Sequence, residues 1–175
     1  MANNVAVFKS VAERILSHPT WDVLLVFALL GAGFFYGISA GKRRIAATLL
    51  YTYAAYTVSA ALPLEKWFSA LPGLNPFFIR AGSFLVAFFF LALFLGAKKS
   101  RSFAPAGAWW QIFLLSLLQA GLIIHILLQF LPLEKVKLLA PLTKNVFVNP
   151  NWHFWWLFVP LLFLIFLKKF ESSDP

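Results

Sequence analysis

The stretch Gly33-Phe34-Phe35-Tyr36-Gly37-Ile38-Ser39-Ala40-Gly41-Lys42-Arg43-Arg44 decides the fold. Positions four apart share one face of an α-helix. Gly33, Gly37 and Gly41 therefore form a groove without side chains, into which a second backbone fits closely. Lys42, Arg43 and Arg44 follow at once and stop the apolar run at a membrane surface. A helix of this kind is built to pack against other helices within a bilayer.

Apolar runs of spanning length recur along the chain, at 22–40, 45–62, 77–97, 108–131 and 150–167. A bilayer core about 30 Å thick takes roughly 20 helical residues. The chain is 61% hydrophobic and holds 21 Phe and 7 Trp, and its mean hydropathy is +0.81. The expected fold is all-α, a single polytopic membrane domain over residues 1–175 with five transmembrane helices and no room for a soluble domain. The last run is short and contains Pro160, which a helix tolerates where neighbours cover the freed carbonyl.

In residues 1–19, Phe8, Val11 and Ile15 share a face while Lys9, Glu13 and Arg14 lie elsewhere, until Pro19. This pattern predicts an interfacial helix lying on the bilayer, not a cleavable signal peptide. The absence of cysteine removes disulfides, thiol catalysis and cysteine-held metals. The net charge of +9 sits mainly as short clusters beside apolar runs. That is how topology signals are arranged, so the lipid bilayer is the expected partner and nucleic acid is not.

Lys42, Arg43, Arg44, Lys98, Lys99, Arg101, Lys168 and Lys169 fall on one side of a five-span arrangement. The basic residues of the other side are nearly as many, but they are dispersed among Glu13, Asp22, Glu65 and Glu134. Dense clusters abutting span ends mark the cytoplasmic side, which puts the N-terminus outside and the C-terminus in the cytoplasm. Trp21, Trp67, Trp152, Trp155 and Trp156 mark the outer edge, and Trp109 and Trp110 the inner one.

Leu62-Pro63-Leu64-Glu65-Lys66 recurs 69 residues later as Leu131-Pro132-Leu133-Glu134-Lys135. Pro72 and Pro141 share that shift, and Asn75-Pro76 and Asn149-Pro150 each open the next run. Asn suits an N-cap and Pro the first helical position. Outer segment plus span thus repeats over 63–99 and 132–169, following the first two spans at 22–62, which suggests two parallel hairpins after a lone helix.

Chemistry is sparse. No Asp, Glu, Lys or Arg lies in the middle of a run, and Gln111, Gln119, His125 and Gln129 form the one polar stripe. Gln111, His125 and Gln129 fall within about 40° on a helical wheel, with Gln119 about 80° away. The stripe reads either as interhelical hydrogen bonding or as the lining of a narrow polar path. The three histidines lie far apart in depth in this topology, and no metal or other cofactor is expected. Catalytic motifs and phosphate-binding glycine loops are missing, so no enzyme is expected. The second run is rich in small and hydroxylated residues from Thr48 to Ser59, and is the expected partner of the glycine face.

Residues 21–131 resemble the colicin V production (CvpA) family of small bacterial inner-membrane proteins. Trp21-Asp22 opens the first run, Gly41 follows one span later, and a basic loop leads into a small-residue second run. The third run ends on Gly96 and a basic stop, and the fourth carries Gln119-Ala120-Gly121. Family members often show Arg-Gly-Phe where this chain has Ala40-Gly41-Lys42, often show Arg-Gly in the fourth span, and usually have four spans. The resemblance implies a role in colicin V production or export and supplies no mechanism. Two functions stay open. One is a non-enzymatic membrane protein that packs with itself or with a secretion or envelope partner. The other is a small channel or transporter subunit lined by the His/Gln stripe.

Overall fold

The computed structural model describes residues 21–68, 75–95 and 109–171, with the backbone alone for residue 65 and residues 168–171. The expected amphipathic segment 1–19, the cluster Lys98, Lys99 and Arg101, and the side chains of Lys168 and Lys169 lie outside what is described. Every regular element among the described residues is a helix. The long helices are α1 (Trp21–Ala40), α2 (Lys42–Ala61), α4 (Pro76–Phe94), α5 (Trp109–Gln129) and α8 (Pro150–Glu171). Short helices α3 (Leu64–Phe68), α6 (Leu133–Val136) and α7 (Pro141–Thr143) lie between them, and a π-helical turn (Lys144–Val148) runs on from α7.

Four of the long helices are long and apolar enough to cross a membrane: α1, α4, α5 and residues Pro150–Leu167 of α8. The expectation of five meets a physical distinction at α2. It has 20 residues, enough for about 30 Å at 1.5 Å per residue, but its composition is much more polar. Its hydroxyls turn back onto its own carbonyls. Thr48 donates to Ile45 O at 2.9 Å, Thr52 to Thr48 O at 2.9 Å, Thr57 to Tyr53 O at 3.0 Å and Ser59 to Tyr56 O at 2.9 Å. Pro160 sits inside α8 without ending it and is fully buried.

Helix α5 is the axis of the bundle. Ten of its residues are buried, against three in α1 and two in α4. It packs against α1, α2, α8 and the π turn, while α4 leans on α2. Leu49 and Ala55 of α2, Phe84 of α4, and Leu122 and Ile126 of α5 form one core cluster. Ile45, Ile112, Leu115 and Leu167 form a second. Each fully buried aliphatic or aromatic side chain of this size brings many dispersion contacts, and these matter most where lipid tails already offer an apolar surround.

The glycine row of α1 meets α5, not α2 as the sequence suggests. A Cβ on Gly33 would lie 2.8 Å from Ala120 Cβ, and one on Gly37 would overlap Ser116 Oγ and lie 2.9 Å from Ile45 Cδ1. Ser116 and Ala120 are four apart on α5, so small residues face small residues across the crossing. Gly41 is not part of this groove. It forms the break between α1 and α2 with φ of 79°, a left-handed conformation that glycine adopts without steric cost. The hydroxylated face of α2 serves α5 and α8 instead, through Thr52 and Tyr53.

A Cβ on Gly31 would meet nothing within 4 Å, so this glycine is the natural control. Gly37→Leu should lower the unfolding stability of the detergent-solubilised chain by about 1–3 kcal/mol, the usual cost of overpacking. Gly31→Leu should leave it within about 0.5 kcal/mol. Equal unfolding curves for the two variants would refute the α1–α5 contact.

Candidate functional site

The polar residues gather where α5 ends, α1 and α8 begin, and the segment 133–148 folds over them. Two backbone carbonyls create the need. Pro150 has no N–H, so the carbonyl of Val146, four residues earlier, has no helical partner there. The next carbonyl, Phe147 O, loses its partner as well, because the Asn151 N–H turns to Asn149 Oδ1 at 3.0 Å. Trp156 Nε1–H donates to Val146 O at 2.6 Å, and His125 Nδ1–H donates to Phe147 O at 2.6 Å. Both carbonyls are thus satisfied by side chains of the long helices.

A carbonyl only accepts, so Nδ1 of His125 carries the hydrogen and Nε2 of the neutral ring is left as acceptor. His153 lies one turn into α8 and completes the arrangement, with its Nδ1–H donating to His125 Nε2 at 2.9 Å. The rings lie 5.1 Å apart between centroids. His125 is fully buried and His153 half-buried. The expectation that the histidines lie far apart in depth therefore fails for these two, because Pro150 starts α8 at the depth where α5 is finishing. His18 lies outside the described residues. Among the described residues no third His, Cys, Asp or Glu joins the pair to make a metal-binding group.

Trp156 stacks on Phe147 at 5.0 Å and lies parallel to the His125 ring at 6.1 Å. Gly121 makes this possible, because a Cβ there would run into the Trp156 ring. Gly121 and His125 are four apart on α5, and His153 and Trp156 three apart on α8, so each pair shares a helix face. Trp156 is thus a half-buried wedge between α5 and the π turn, unlike the exposed Trp21, Trp152 and Trp155.

Asp22 fastens the other end of the same segment. It is buried in the first turn of α1, and its Oδ2 accepts the Ala140 N–H at 2.8 Å. Ala140 begins the helical stretch that α7 and the π turn form, so the carboxylate sits at its positive end. Sequence reasoning marks Asp22 only as a span-end residue. Its signal was there, since a carboxylate at the border of a span is costly unless it meets a donor.

The stripe of Gln111, Gln119, His125 and Gln129 does not line one passage. Gln119 turns to α2, where its Nε2–H donates to Thr52 Oγ1 at 2.9 Å. His125 turns to α8, and Gln129 is exposed. The buried amide oxygens of Gln111 and Gln119 have no hydrogen-bond partner among the described residues. The imidazole pair is a hydrogen-bonded chain from His153 to His125. It ends on the Phe147 carbonyl, which has no hydrogen to pass on.

A double-mutant cycle on His125→Leu and His153→Leu should show a coupling of about 0.5–1.5 kcal/mol in reversible unfolding, with His125→Leu the costlier single change because it also strips Phe147 O. Strict additivity would show that the two rings do not meet.

No family model, curated protein or solved structure matches this chain, so its own side chains carry the functional reading.

Proposed function

We propose that the protein is a non-enzymatic integral membrane protein, resembling the colicin V production family, and that it works by helix packing with itself or with a secretion or envelope partner. Four apolar helices support membrane integration. In this reading α2 is a fifth crossing, sheltered by α4 and α5 and with its threonine and serine hydroxyls already bonded, in a bacterial cytoplasmic membrane with the N-terminus outside and the C-terminus inside. The two units 63–99 and 132–169 are parallel repeats. Asn75 and Asn149 support this, since each places Oδ1 3.0 Å from the N–H two residues on at the start of a long helix.

One observation carries the packing reading. The polar side chains buried on the central helix bond to neighbouring helices or to their own: Gln119 to α2, His125 to the π turn and α8, and Ser116 to Ile112 O at 2.7 Å. The glycine row is occupied by α5, so a partner must meet other faces. The exposed side of α4, with Val86, Phe89, Phe90 and Leu93, is one of these. The transport reading draws on the imidazole pair and on the two amide oxygens of Gln111 and Gln119.

The purified chain in liposomes should give no proton or solute flux above protein-free vesicles. His125→Gln, which keeps a polar contact, should complement a deletion strain at acidic and neutral pH alike. Flux that His125→Gln abolishes in a folded, inserted protein would replace the packing reading with the transport one.

A further inference from the structure

A cavity of about 430 Å³ opens where α2 and α5 end and α4 begins. That lies within the usual range for ligand pockets, about 300–1,000 Å³. Its wall comes from the last turns of α2, the start of α3, the second turn of α4 and the residue after α5. Lys66 and Arg80 put two cationic side chains on it, and no carboxylate is among the described residues that line it. Tyr56 adds a hydroxyl with no hydrogen-bond partner among the described residues, and Leu62 and Phe130 make the wall apolar beside it.

We propose that this cavity binds a phosphate-bearing anion, with Arg80 and Lys66 on the phosphate oxygens, the Tyr56 hydroxyl as a further donor, and Leu62 and Phe130 against an apolar tail. Lys66 and Arg80 also have partners within the protein. A guanidinium offers five N–H donors and an ammonium three, so a phosphate can share them. Arg80 lies only four residues into α4 and Tyr56 five residues before the end of α2. A bundle that spans a bilayer would therefore hold this cavity within a turn or two of the membrane surface, at the depth of headgroups and glycerol. The mixed lining matches the phosphate and first methylenes of an anionic phospholipid, and inorganic phosphate shares the charged half of that chemistry. The site goes beyond the packing reading and depends only on membrane insertion, so it can fail or succeed whether or not a protein partner exists.

The test is lipid retention. The full chain is reconstituted in vesicles of equal phosphatidylglycerol and phosphatidylcholine, extracted, and analysed by native mass spectrometry. The wild type should retain one phosphatidylglycerol in preference to phosphatidylcholine. Lys66→Gln with Arg80→Gln should reduce that preference roughly twenty- to thirtyfold, since each cation near an anionic lipid is worth about fivefold. Lys135→Gln, at the matching place in the second pentapeptide and outside the cavity, should leave it unchanged. A second arm adds millimolar inorganic phosphate to the chain in phosphatidylcholine alone and follows unfolding. Stabilisation by phosphate that the double variant loses, without lipid preference, assigns the site to a free phosphate compound. Tyr56→Phe keeps the fold under test if the double variant does not fold, and should weaken retention several-fold. A wild type with neither lipid preference nor phosphate response overturns the proposal, as does a preference that a folded double variant or Tyr56→Phe leaves intact.

Discussion

A hydrocarbon surround offers no water to a stray N–H or carbonyl, and this one constraint organises the molecule. Pro150 starts α8 cleanly but withholds the donor that Val146 O requires, and the Asn149 side chain takes the donor that would have served Phe147 O. The two orphans must be met from elsewhere, and the residues that meet them, Trp156 and His125, fix the spacing of α8 from α5. His153 follows from the same requirement, because a buried imidazole whose Nδ1 is committed still needs a donor for Nε2. The indole wedge in turn demands Gly121. A proline placed to begin one helix thus dictates side chains on that helix and on α5.

Along the rest of α5 the bundle is held by shape. Glycines of α1 face Ser116 and Ala120 of α5, and Ser116 turns its hydroxyl onto its own helix, so the contact is nearly all close backbone approach. Such contacts are weak one by one and strong in number, because each ångström of separation lost to a side chain forfeits dispersion along the whole crossing. Around α5, polar bonds at one end and small-residue packing along its length divide the work of holding the bundle together. Asp22 joins the two, since it begins the glycine helix and grips the segment that covers the histidines.

Helical class, the positions of the long helices and the Asn-Pro starts were legible in the sequence, because length, apolarity and capping are local properties. So was the existence of a close-packed face on α1. Its partner was not, since several runs carry small residues and nothing in a linear pattern says which of them crosses the groove. Gly41 illustrates the limit: spacing put it on the face, while the chain uses it to turn with φ of 79°. The polar stripe on α5 was visible as a stripe, but helical angle does not reveal that Gln119 and His125 address different neighbours. The meeting of His125 with His153 depended on the relative depth of two helices, which a five-span ladder with evenly placed ends does not supply. Trp156 among its exposed neighbours could have been picked out only by matching it to Gly121.

The clasp around Phe147 also sets an order of assembly. His125 is made more than twenty residues before Phe147 and His153, the groups that satisfy its ring nitrogens. While the chain is being synthesised, α5 can already rest on α1 and α2, yet its imidazole has neither native partner until the π turn has emerged, and lacks His153 until the first turn of α8 follows. The last hairpin therefore closes as a unit, and a chain cut short before Phe147 would carry a histidine into the bilayer without the contacts that make it tolerable there.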